Sequence, residues 1–249
     1  MNQTFTLCIA TETIANDARQ LGVTIDELHH IRVHVSADIV QQPTLHLQLT
    51  YHVTLPSETL AAQLDWPAWQ AAQVGFSDYL WEKSCLECFI AGDLIEDDLI
   101  KGDLIKGDST TNGLIKDERN RAGQTDAYIE INASPDGRYA LYKFDRYRQP
   151  ATLPPTPLYQ ADGHTLASID WISLYNQSST TSRRLHYERR FGVRLTELPN
   201  QQYALNNTTI EYIHPCVILK LDNTTLFFAP EHASPPDFHN RHHWTKFKA

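Results

Sequence analysis

The amino-acid sequence predicts an all-β protein, a β-sandwich or distorted barrel, on three observations. Short runs of alternating apolar and polar residues recur along the chain, Pro, Asn and Gly divide them, and helical periodicity is scarce with no strand–helix–strand repeat. The chain has 249 residues, 41% of them hydrophobic, which is ample for one large core or two smaller ones. We read residues 1–249 as one domain.

Taken in order, Thr11 to Leu21 reads as one or two helical turns. Ile31, Val33 and Val35 alternate with Arg32, His34 and Ser36, and Leu45, Leu47, Leu49, Tyr51 and Val53 with His46, Gln48, Thr50 and His52. Both are half-buried strands by period. Glu58 to Leu64 is a second short helical candidate. Trp81 to Ile90 alternates as a strand, setting Trp81, Lys83, Cys85, Glu87 and Phe89 against Leu86, Cys88 and Ile90.

From Gly92 the sequence reads GDLIE, DDLIK, GDLIK, GDSTT, NGLIK, ending at Lys116 with a polar tail to Gly123. A period of five keeps neither a strand face nor a helix face. Four or five such units are too few to stack as an independent solenoid. Residues 92–123 therefore read as an inserted repeat loop, or as a finger that docks a partner or a second copy, and the strands on either side should be antiparallel neighbours.

Beyond it, Tyr128, Glu130 and Asn132 share one face of a strand and Ile129, Ile131 and Ala133 the other. Ser134-Pro135-Asp136-Gly137 is turn chemistry, and an aromatic-rich strand follows to Tyr147. Gln149 to Gly163, with Pro150, Pro154, Pro155 and Pro157, reads as a crossover connection. Further strand candidates cover Ile169 to Tyr175, Arg184 to Leu195, Thr209 to Ile213 and Val217 to Leu221, the last joined to Leu226–Ala229 by an Asp222-Asn223 hairpin turn.

A formal charge of -9 removes the general attraction for nucleic acid or an acidic membrane. The basic run Arg183 to Arg190 reads as a solvated strand rim. No apolar run approaches the ~20 residues that span a bilayer, and the first residues lack the pattern of a secretory signal. Four cysteines, Cys8, Cys85, Cys88 and Cys216, are too few for a disulfide scaffold. A cytoplasmic protein with no nucleic-acid or membrane partner is expected.

Three blocks occur in order: Trp81-Glu-Lys-Ser-Cys85-Leu-Glu87-Cys-Phe89, then Tyr128 to Arg148, then Pro236-Asp237-Phe238-His239. Together they resemble DOMON-like proteins, related to family 9 carbohydrate-binding modules and typically bacterial. The chain departs from the family pattern at Leu86, at Ala133 and at Glu231-His232. The resemblance implies a single antiparallel β-sandwich of jelly-roll-like type. Family 9 modules hold sugars between aromatic side chains and contain structural calcium, and related DOMON domains bind haem or sugars.

A sugar site needs an aromatic platform beside a few hydrogen-bonding groups. Trp81, Glu87, Glu130, Asn132, Arg146 and Arg148 can supply these from neighbouring strands, with Tyr142 and Trp244 as secondary aromatics. The structural alternative is that Glu87 or Glu130 pairs with Arg138, Arg146 or Arg148 and pins the sheet. In the closing block, Phe238 reads as a core plug and His239 as its hydrogen-bonded anchor. Asp237 and His239 can alternatively face a ligand or a metal. Cys85 and Cys88 would point to opposite faces of a strand, which disfavours zinc. Calcium could draw on Asp136, Asp145 or Asp222, although no loop has calcium-binding spacing. Haem lacks a motif for its axial ligand. Neither a nucleophile elbow nor a phosphate-binding glycine pattern is present.

The reading is a non-enzymatic module binding a carbohydrate or other small ligand, with no metal or cofactor required. Its alternatives are a structural or protein-interaction module docking through residues 92–123, and a glycoside hydrolase using Glu87 and Glu130.

Overall fold

Apolar residues at every second position give each strand one buried face, and the order of the strands brings those faces together. The computed structural model describes residues 2–92, 126–172, 185–199 and 210–248. The protein is mostly β with a few short helices. Its strands are β1 (Asn2–Ile9), β2 (Arg32–Val40), β3 (His46–Thr54), β4 (Gly75–Phe76), β5 (Cys85–Gly92), β6 (Tyr128–Ala133), β7 (Arg138–Phe144), β8 (Ile169–Trp171), β9 (His186–Arg194), β10 (Ile210–Leu221), β11 (Thr224–Ala229) and β12 (Thr245–Lys246).

These form one curled sheet in the order β4-β7-β6-β5-β10-β11-β1-β2-β3-β9-β8, with β12 beside β10. β1 serves both halves: residues 2–7 pair with β2, and Cys8 and Ile9 pair with β11. The inner faces of both halves feed one core, in which Val35, Leu49 and Tyr51 join Leu86, Ile90, Ile131 and Val217. The fully buried Tyr51 hydroxyl donates to the Glu87 carbonyl across that core at 2.7 Å.

The sheet departs from the wholly antiparallel expectation at β4, which runs parallel to β7. Its approach explains this. The Gln70 amide donates to Asp136 O at 2.9 Å and the Ser77 amide to Tyr139 O at 2.9 Å, so the segment lies along the start of β7 in the same direction. Farther along β7, the Lys143 amide donates to Thr156 O and the Leu158 amide to Leu141 O. The proline-rich crossover therefore covers an edge that would otherwise stay open.

Two strand boundaries also differ from the sequence reading. Trp81 precedes β5, in a 3-10 turn (Leu80–Glu82) entered through the left-handed Tyr79, φ +61°. β10 runs unbroken through Pro215, which faces Cys88 of β5. On its other side β10 meets β12 at Tyr212 and Ile213 and β11 from Val217 onward, so Pro215 falls between those two neighbours. A residue without an N–H is tolerated at such a break. β8 covers Ile169–Trp171, and residues 173–175 of the expected strand lie outside the described residues.

The expected neighbours β5 and β6 do pair, in antiparallel register from Leu86↔Ala133 to Ile90↔Ile129. The pentad repeat joining them lies, from residue 93 to 125, outside the described residues. The hairpin at Asp222-Asn223 forms with Asp222 at φ +46°. Arg183 and Arg184 fall outside the described residues. Arg189 is not a solvated rim: its Nε donates to Pro135 O at 2.8 Å and its guanidinium lies 5.7 Å from the Trp66 ring centroid.

The helices are α1 (Ile14–Leu21), closed by Gly22 at φ +68°, α2 (Ile25–His29), capped by the Thr24 hydroxyl, and α3 (Glu58–Gln63), capped by the Ser57 hydroxyl. At five residues, α2 is too short to leave a readable period. No helix of the described residues is long and apolar enough to cross a membrane.

The outer face of the β7-β6-β5-β10 half is also apolar. Phe89, Tyr128, Phe144 and Ile218 lie there under Phe238 and Trp244 of the closing segment. Each large apolar side chain buried in this way contributes ~1.5–3 kcal/mol, so the covering is a second core.

Candidate functional site

At one end of that second core the cover is incomplete and leaves a hollow of about 470 Å³. Its floor comes from strand alternation. Glu87 and Phe89 on β5 and Glu130 on β6 occupy the outer face, while Leu86, Cys88, Ile129 and Ile131 point to the main core. Trp81 forms one wall, Arg148 and the loop of Pro150, Leu153 and Pro155 another, and Asp237, Phe238 and His239 a third. Leu153 is 76% exposed and Phe227 37%, which leaves apolar side chains bare at the mouth.

The sequence candidates divide into those that reach the hollow and those that support it. Trp81, Glu87, Glu130, Arg148, Asp237 and His239 line it. Asn132 is fully buried and donates through Nδ2 to Glu130 Oε1 at 2.7 Å. Tyr142, also fully buried, stands edge-on to Trp81 at 5.9 Å and donates to Asp78 Oδ1 at 2.8 Å, so it props the tryptophan and does not offer a platform of its own. Arg146 lies elsewhere, in a separate polar depression with Tyr147 and Arg241. Trp244 is core, its Nε1 donating to Phe238 O at 2.9 Å.

The ion pairs proposed to neutralise the two glutamates are not formed. Arg138 binds Asp136, with Nη2 to Oδ2 at 2.6 Å, and Arg148 binds Asp237, with Nη2 to Oδ1 at 2.8 Å. Among the described residues neither glutamate has an arginine or lysine within ion-pair distance. Glu87 is 3% exposed and its Oε1 has no hydrogen-bond partner; Glu130 is 4% exposed.

Burial, reinforced by the nearby Glu130, pushes the Glu87 carboxyl well above the ordinary range, against a hydrogen bond from Cys85. Burial also lifts Glu130 to about 7, against the Asn132 hydrogen bond and the more distant Arg148 charge. His239 falls to about 4, because burial and Arg148 disfavour its cation more than Asp237 favours it. At neutral pH, then, Glu130 is near its midpoint and His239 is uncharged, while burial disfavours the ionised form of Glu87.

A hydrogen-bond chain fixes the histidine. The Arg148 amide donates to the Tyr128 hydroxyl at 3.1 Å, and the same hydroxyl is hydrogen-bonded to His239 Nδ1 at 2.7 Å. His239 Nε2 faces Glu130 Oε2 at 3.7 Å, too far for a direct hydrogen bond. His239 is thus the hydrogen-bonded anchor of the closing segment and also part of the wall. Asp237 accepts from the Tyr147 hydroxyl, Arg148 and the His239 amide, so its role is to hold the rim. Burial tends to raise its carboxyl, but these hydrogen bonds outweigh that and hold it below its usual value.

Glu87 opposes Asn132 in the ladder, one diagonal step from Glu130. Both carboxyls lie on the outer face of the sheet, on neighbouring strands. Cys85 and Cys88 are free thiols on opposite faces, and Asp136 is occupied by Arg138. Among the described residues no three His, Cys, Asp or Glu side chains are grouped to hold a metal ion.

Much of the apolar lining was missed in the sequence: Phe144, Pro150, Leu153, Ile218 and Phe227 come from four separate segments. One signal was available. Apart from Glu87, β5 is apolar on both faces, the mark of a strand covered on both sides. In comparisons with known proteins, the chain matches no family model, no curated protein and no solved structure.

Proposed function

We propose that this chain is a non-enzymatic binding module of the DOMON-like kind, a jelly-roll-like sandwich whose hollow takes a carbohydrate or a small ligand of similar size. The observation that carries the reading is convergence. Trp81, Glu87, Glu130, Arg148 and His239 arrive from separate segments at one hollow of about 470 Å³. Ligand sites are typically clefts of ~300–1,000 Å³, mostly apolar with a few placed polar groups. The four cysteines are unpaired, which suits a reducing compartment such as the cytoplasm.

The test is a panel of neutral mono- and disaccharides, titrated by calorimetry against the wild type and Trp81→Ala. Binding by the wild type, weakened at least ~10-fold by Trp81→Ala, is expected, since ~1.4 kcal/mol of stacking corresponds to that factor. Binding that ignores the substitution would remove the hollow from the account.

A further inference from the structure

The floor of the hollow has a chemical deficit that narrows the ligand. It holds two buried carboxyl groups, and the two guanidinium groups closest in sequence to the turn and the rim are committed to aspartates. Glu87 Oε1 is buried without a hydrogen-bond partner among the described residues, a costly arrangement for a polar atom. Around the carboxyls the lining includes Trp81, Phe89, Phe144, Phe227 and Phe238. Aromatic rings attract cations through their faces.

We infer that the ligand of this hollow carries a protonated amine, seated between Glu87 and Glu130 with its hydrocarbon part against the aromatic lining. This rests on the proposed ligand-binding role and adds the charge of the ligand to it. An anion would meet two carboxyls and no free counter-charge. A neutral ligand would bring no charge to offset the ionised form of either carboxyl, which burial disfavours. An ammonium supplies three N–H donors and one positive charge beside two carboxyls that no arginine or lysine among the described residues pairs, the nearby Arg148 being bound to Asp237.

The inference fixes a proton balance. A cation bound beside a neutral carboxylic acid favours its ionisation, so the proton leaves to the buffer as the ammonium enters. Glu130 is faced by Asn132 on its own strand, by Cys85 and Glu87 on β5, by Tyr142 on β7 and by Cys216 on β10. Arg148, Tyr128, Asp237 and His239 approach from the rim. Burial raises the cysteine thiols and the tyrosines, and lowers His239 to about 4, so those groups keep their charge state through neutrality. The two glutamates alone in this set are placed to titrate with the ligand.

Benzylammonium and benzyl alcohol share a shape and differ in charge, so they isolate the effect. Calorimetry on the full chain should find benzylammonium bound at least ~10-fold more tightly than benzyl alcohol. Its affinity should rise between about pH 6 and about pH 8, and titrations in two buffers of different ionisation enthalpy should show proton release at the lower pH. In Glu130→Gln the preference should fall to within ~3-fold and the pH dependence should flatten, with an unchanged circular dichroism spectrum and a cooperative urea transition as the control for folding. Equal affinity for the two probes, no binding of benzylammonium, or a preference unchanged in both Glu130→Gln and Glu87→Gln would overturn the inference. If a neutral sugar binds with Trp81 dependence while benzylammonium does not, the cation is wrong and the binding module stands. If neither class binds, both fail.

Discussion

Replacing Glu130 with glutamine separates the cost of its charge from the value of its shape. The side chain is 4% exposed, and burial lifts its carboxyl from an ordinary 4.5 to about 7. At ~1.4 kcal/mol for each pKa unit, that gap corresponds to ~3 kcal/mol. Because the folded value is the higher one, the folded protein keeps a proton that the unfolded chain releases between pH 4.5 and about 7. The associated stability is complete below 4.5 and is lost as pH rises through about 7. Glutamine stays neutral throughout and retains an oxygen for the Asn132 amide. Glu130→Gln should therefore match the wild type at about pH 4 and exceed its stability by ~3 kcal/mol at about pH 8. Removing the Glu130 charge also eases ionisation of Glu87, which acts in the same direction. His239, held down to about 4, loses stability as pH falls below its ordinary 6.5, but it is present in both proteins and largely cancels in the difference. Urea denaturation at a series of pH values gives this difference directly. A difference that stays flat across the series, or a variant less stable at high pH, would refute the reasoning.

Two further substitutions test the frame. Tyr51→Phe removes the hydroxyl that crosses the main core to the Glu87 carbonyl and leaves that oxygen unpaired on this side; a loss of ~1–3 kcal/mol by urea denaturation is expected, and an unchanged midpoint would show that the bond contributes nothing. Gly137→Ala places a Cβ at φ +118°, 3.2 Å from both Gln70 O and Val74 Cγ2, so a loss of ~1–3 kcal/mol with a lower melting temperature is expected, and full stability would mean that the turn between β6 and β7 relaxes freely.

Face parity was legible in the sequence, and distant neighbours were not. The alternation of Tyr128, Glu130 and Asn132 with Ile129, Ile131 and Ala133 matches the division between the two cores, as does that of Glu87 and Phe89 with Leu86 and Cys88. Period two reports which side a residue takes, and that was enough to bring Glu87 and Glu130 to one surface. It carries no information about what covers that surface. Phe227 reaches the mouth from β11 and Leu153 from an irregular loop, and neither has a local pattern pointing there. Trp81 reached the hollow by a different route from the one expected: the chain turns at Tyr79, and a 3-10 turn, not a strand, presents the indole. The sequence reading left two strands, Thr209 to Ile213 and Val217 to Leu221, where β10 runs unbroken through Pro215; a proline ordinarily ends a central strand, and the gap between β12 and β11 permits it here.

The double duty of β1 has a consequence for how a nascent chain matures. β2, β3 and β9 can take their places once residue 194 has left the ribosome, yet Cys8 and Ile9 must wait for Phe228 and Ala229. Contacts separated by more than two hundred residues make closure late and slow. Until residue 229 has emerged, the far end of β1 offers an unpaired edge, and chaperone protection matters most there.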